Sequence, residues 1–74
     1  MSRLPACSGR DAVRAFQRLG YEIDHQTSSH MILRHPSRRR LTVPDHREVA
    51  KGTLRSLIRE AGITKEQFVE LLRS

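Results

Sequence analysis

Four histidines, His25, His30, His35 and His46, fall in the middle of a 74-residue chain. Their spacing does not suit a metal. Ligands on strands need matched pairs in register with a third partner, whereas the five-residue spacing of the first three puts successive members on opposite strand faces or in turns. Imidazole is better matched to proton transfer at neutral pH, and RNA offers the corresponding chemistry. The 2′-OH attacks the adjacent phosphorus once a base removes its proton, and nearby cations stabilise the charge that develops on the phosphoryl oxygens. No metal, cofactor or carboxylate pair is required. Ser29, beside His30, reads as an orienting or phosphate-contacting hydroxyl, because no base and oxyanion arrangement that would make it a nucleophile is discernible. His46 is either a second acid or base or a structural hydrogen-bonding residue of its loop.

The charge balance points the same way. Fourteen Lys+Arg against eight Asp+Glu give +6, which favours a polyanionic partner, with nucleic acid the first candidate. Twelve of the fourteen cations are arginine, whose planar fork binds phosphate bidentately. Arg34, Arg38, Arg39 and Arg40 flank or form one turn and are either phosphate clamps or a solvated charged turn. Gly52 and Thr53 present free N–H groups at a helix start, as an anion site or an ordinary cap.

Length sets the frame for any site. Seventy-four residues make one domain, too small for a large internal substrate cavity, so a site must lie on the surface or be shared with a partner. No apolar run approaches the roughly 18 residues of a membrane span, and no signal peptide is apparent; a cytoplasmic chain without membrane contact is expected. A single cysteine, Cys7, excludes an internal disulfide.

The elements that must position these residues follow from periodicity. Residues 1–7 contain Pro5 and no pattern, and read as a loose, flexible leader before a domain spanning 8–74. Ser8 and Asp11 stand as a capping pair ahead of a helical face of Ala12, Val13, Ala15, Phe16 and Leu19, closed by Gly20. Arg10, Arg14 and Arg18 line the opposite face. The period then changes to two: Tyr21 and Ile23, Met31 and Leu33, Leu41 and Val43 mark three short strands, with turns at residues 26–29 and 35–38. Connections this short make an antiparallel meander. Alternation leaves open which face His30 occupies. Gly52 and Thr53 open a second helix with Leu54, Leu57, Ile58 and Ala61 buried, stopped by Gly62, and Thr64 and Gln67 box the start of a third carrying Phe68, Leu71 and Leu72. The expected fold is α+β, a helix, three strands and two helices, with the helices on one face of a three-stranded antiparallel sheet.

Four separated motifs occur in one order: Leu19-Gly20-Tyr21; Thr27-Ser28-Ser29-His30-Met31-Ile32-Leu33-Arg34-His35-Pro36; Val43-Pro44-Asp45-His46; and the run from Lys51-Gly52-Thr53-Leu54-Arg55-Ser56 through Ala61-Gly62-Ile63. Together they resemble the HicA toxin family, small mRNA interferases of toxin–antitoxin modules. The resemblance implies a double-stranded-RNA-binding-like fold and an endoribonuclease that cuts mRNA and is silenced by a HicB-type antitoxin in a hetero-oligomer. The family's catalytic histidine sits in a Gly-Ser-His motif, which maps onto Ser28-Ser29-His30 and makes His30 the catalytic residue. Ser28 stands where the family has glycine. If that position needs a positive φ, the side chain costs about 1 kcal/mol or more, and the alternative is an RNA-binding module of the same fold without cleavage.

Overall fold

Ser8 and Asp11 close the capping box that their spacing predicts. The Ser8 hydroxyl accepts from the Asp11 N–H at 3.0 Å, and the Asp11 carboxylate accepts from the Ser8 N–H at 3.4 Å. They start α1 (Gly9–Arg18) in a computed structural model that describes residues 3–74. Gly20, at φ +110°, turns the chain into β1 (Glu22–Gln26). A β-carbon there would meet the His35 ring at 2.9 Å, so both the backbone angle and the space require glycine. β2 (His30–Arg34) and β3 (Leu41–Pro44) complete an antiparallel sheet in the order β1-β2-β3, and α2 (Lys51–Ala61) and α3 (Lys65–Arg73) follow. The α-β-β-β-α-α order and the meander are those expected from the period changes, and they agree with a double-stranded-RNA-binding-like fold.

One sheet face is dry. Met31 and Leu33 of β2 and Leu41 and Val43 of β3 are buried with Phe16 of α1, Leu54 of α2 and Phe68 of α3. Removing each such side chain from water contributes about 1.5–3 kcal/mol. Phe16 links the aromatic pairs, 5.3 Å from Phe68 and 5.8 Å from Tyr21 between ring centroids. On β2 the intervening residues His30 and Arg34 are exposed and Ile32 half-buried, which settles the open question: His30 faces away from the helices.

Two expectations are corrected. The described part of the leader is not loose, because Leu4 and Cys7 belong to the buried core; Val49 N–H donates to the Cys7 carbonyl at 2.9 Å, and the Lys51 ammonium donates to the Leu4 carbonyl. Met1 and Ser2 lie outside the described residues. Thr53 does not cap α2. The helix begins two residues earlier, with Ala50 at the cap and no side-chain cap bond, so Gly52 and Thr53 sit inside its first turn.

The join between layers is tight where α1 begins. Gly9 N–H donates to the His46 carbonyl at 2.9 Å, and a β-carbon on Gly9 would stand 2.0 Å from the Pro44 carbonyl oxygen. Pro44 is the cross-strand partner of His30, so the start of α1 presses on the strand end beside that histidine.

Candidate functional site

The turn that delivers His30 is built on one side chain. Thr27 Oγ1 accepts from the His30 N–H at 3.0 Å and the Ser29 N–H at 3.4 Å, and lies 3.3 Å from the His30 carbonyl oxygen, to which it donates. The Thr27 N–H donates to the same carbonyl at 2.9 Å. On the other flank the Asp45 N–H donates to the Ser29 carbonyl at 2.9 Å, tying the turn to the exit of β3. The backbone of His30 is therefore held from both neighbouring strands. Among the described residues no residue other than glycine has a positive φ, so Ser28 carries none of the strain that its substitution for glycine raised.

The His30 ring is exposed, and its hydrogen-bond partner is a neutral one. Ser29 Oγ lies 3.2 Å from Nδ1. A hydroxyl rotates to donate or accept, so it serves either tautomer of the ring without moving the imidazole. With Nδ1–H donating to the hydroxyl, Nε2 is free as a base, and once Nε2 has taken a proton the imidazolium is the acid that gives it back. That arrangement can take a proton from a substrate hydroxyl and later return it.

Ser28, Ser29 and His30 are brought together, but the arginines are not gathered around them. Arg34 shares the open face with His30, about 13 Å along the strand, and its guanidinium stands 3.9 Å from the Glu22 carboxylate. Residues 38–40 lie in the β2–β3 connection, at the far end of the sheet. Arg38 donates to the Ala61 carbonyl at 2.8 Å and so closes the end of α2; the Arg39 carbonyl accepts from the Tyr21 hydroxyl at 2.7 Å; Arg40 donates to Asp24 at 2.7 Å. This last bond, with a weaker one from His25, holds the Asp24 carboxyl below its ordinary range. Since Arg38 ties the C-terminal end of α2 to the β2–β3 connection, Gly52 and Thr53 lie toward the His30 end, in the helix layer.

The other histidines separate by role. His35 is structural: Nδ1 accepts from the Ser37 N–H at 3.0 Å, which leaves Nε2–H to donate to the Leu19 carbonyl at 3.2 Å, and the ring packs edge-on to Tyr21 at 4.9 Å. His46 is exposed and contributes its carbonyl to Gly9. His25, exposed on β1, has Nδ1 3.3 Å from Asp24 Oδ2.

Three contributors escaped the sequence reading. Thr27 carries a signal that could have found it, a Thr followed by Ser and His at the spacing of a hydroxyl-closed turn. Asp45 and Arg10, 3.5 Å apart across the α1–β3 join, carry none, because residues 35 positions apart in the chain meet only through the fold.

Among the described residues no helix is long and apolar enough to cross a membrane. No curated protein matches the chain. A family model, described as the HicA toxin of bacterial toxin-antitoxin, matches residues 9–63, the span that runs from the tight start of α1 through the His30 turn to the end of α2. The match covers most of the 74 residues and agrees with the motifs and the order of elements, and the chain belongs to the HicA toxin family.

Proposed function

We propose that this toxin is an endoribonuclease that cuts mRNA without a metal or other cofactor, with His30 moving the proton. The observation that carries the reading is the exposed imidazole of His30 on the uncovered sheet face, its backbone locked by Thr27 and its Nδ1 on the Ser29 hydroxyl. His30 Nε2 takes the proton of a substrate 2′-OH. The O2′–P bond forms, the P–O5′ bond breaks as O5′ takes a proton from a second donor or water, and the products are a 2′,3′-cyclic phosphate and a 5′-hydroxyl. Ser28 and Ser29 offer hydroxyls to the phosphoryl oxygens, and Arg34 lies on the same face of β2. A HicB-type antitoxin that covers His30 would silence the toxin in the cytoplasm, and an acidic partner suits the +6 charge. The alternative of a non-catalytic RNA-binding module leaned on strain at Ser28, and the positive φ it needed is absent.

The test is inducible expression. Wild type is expected to arrest growth with loss of intact mRNA, and His30→Ala to do neither. Co-expression of the protein encoded beside it is expected to relieve the arrest. Equal toxicity of wild type and His30→Ala would contradict the assignment.

A further inference from the structure

Cleavage through the 2′-OH needs a second proton transfer, to the departing 5′-oxygen, on the side of the phosphorus opposite the base. We propose that His25 is the general acid that supplies it, partnered by Asp24. The inference rests on the ribonuclease reading of His30.

The sheet register carries the argument. Ile23 pairs with the buried Leu33 and so lies on the helix side of the sheet, although β1 itself is exposed throughout, and a regular strand would then set Asp24 opposite Ile32 and His25 opposite the buried Met31. Instead an irregularity inserts Asp24, and His25 pairs with Ile32. Bulges re-aim side chains in this way. The shift turns His25 from the helix side of the sheet to the side of His30, in the position diagonal to His30 on the adjacent strand, about 7–8 Å away between backbone positions. Two imidazoles at that spacing can flank one phosphodiester.

The surroundings of the two rings differ, and the difference assigns the roles. Asp24 Oδ2 lies 3.3 Å from His25 Nδ1 and, as a carboxylate, only accepts, so Nδ1 carries hydrogen and Nε2 is left for the substrate. Asp24 is itself fixed by Arg40 at 2.7 Å. A protonated His25 thus has a counter-ion in place, whereas the His30 ring meets a neutral hydroxyl. His30 begins the cycle as the base and His25 as the acid. The charged groups facing His25 are Glu22 and Asp24 on β1, His30 and Arg34 on β2, and Arg40 ahead of β3. In the step, the His25 Nε2 proton passes to O5′ as the P–O5′ bond breaks, while His30 holds the proton from O2′.

The experiment compares ordinary RNA with an oligonucleotide whose scissile 5′-oxygen is replaced by sulfur, since a thiolate leaves without needing a proton. His25→Ala is expected to lose about a hundredfold in kcat on ordinary RNA. On the sulfur substrate it should match wild type. His30→Ala should be inactive on both. His25 is exposed, so His25→Ala should keep its fold, checked by its thermal melt. Two results would overturn the proposal: His25→Ala as fast as wild type on ordinary RNA, or equally impaired on both substrates. If wild type cleaves neither substrate, it is the ribonuclease reading itself that falls.

Discussion

A threonine hydroxyl organises more of the His30 turn than any other side chain, accepting two N–H groups and donating to a carbonyl. Thr27→Val keeps the shape and removes these bonds. Stability should fall by about 1 kcal/mol, as for one net hydrogen bond, while cleavage falls further because the histidine is less well held; Thr27→Ser should restore both. Urea titration and kcat measured on the same samples check this. Asp24 belongs to the same scale. Its carboxyl lies below the ordinary range chiefly because of the Arg40 bond. Its folded value is therefore lower than its unfolded value of about 3.9, so the contribution to stability is complete above that pH and disappears as pH falls through the folded value. Wild type should be more stable than Asp24→Asn at neutral pH, and their urea midpoints should converge in acid below about pH 4. A constant gap at all pH values would show that Asp24 acts through something other than its charge.

Two glycines in helix first turns make opposite predictions at the level of elements. A β-carbon on Gly9 would enter the Pro44 carbonyl at 2.0 Å, a backbone atom that cannot rotate away, whereas one on Gly52 meets nothing within 4 Å. Gly9→Ala should cost about 1–3 kcal/mol and displace the strand end that flanks His30, visible as a shift of the His30 imidazole NMR signals. Gly52→Ala should be neutral or stabilise by up to about 1 kcal/mol. Equal thermal melts for the two variants would contradict the close approach of α1 to β3. What the sequence revealed of these elements was local. The boxes at Ser8 and Thr64, the period change after Gly20 and the stop at Gly62 are short-range patterns that each element needs for its own formation. What it concealed depends on pairing. Leu4 and Cys7 pack as isolated residues with no period to betray them, α2 starts without a side-chain cap, and the insertion of Asp24 is a property of two strands together. Of the site, His30 and its serines were legible as a motif. Its exposed face and the contact from Asp45 came only from the fold.

Across the whole molecule the charges are sorted. On the open sheet face Arg34 and Arg40 stand against Glu22 and Asp24, and beside it Arg10 stands against Asp45. Four further arginines, Arg3, Arg14, Arg18 and Arg73, converge on a cleft between the N-terminal segment, α1 and α3 with one carboxylate, Asp11, which is already engaged in the helix cap. Much of the net +6 charge thus lies away from the His30 turn. Binding of RNA should be long-range and salt-dependent, the logarithm of the affinity falling by about 0.7 per contacted phosphate for each unit of log salt, and His30→Ala should leave that slope unchanged. An affinity indifferent to salt would exclude a phosphate-directed mode. The most direct test of the central claim is the chemistry of the cut ends. Purified protein is incubated with an RNA oligonucleotide in a chelator, and the fragments are weighed by mass spectrometry. Wild type should leave 2′,3′-cyclic phosphate ends, and no cleavage should occur with His30→Ala or at a 2′-deoxy linkage. Fragments ending in a free 3′-hydroxyl, or undiminished cleavage by His30→Ala, would contradict it.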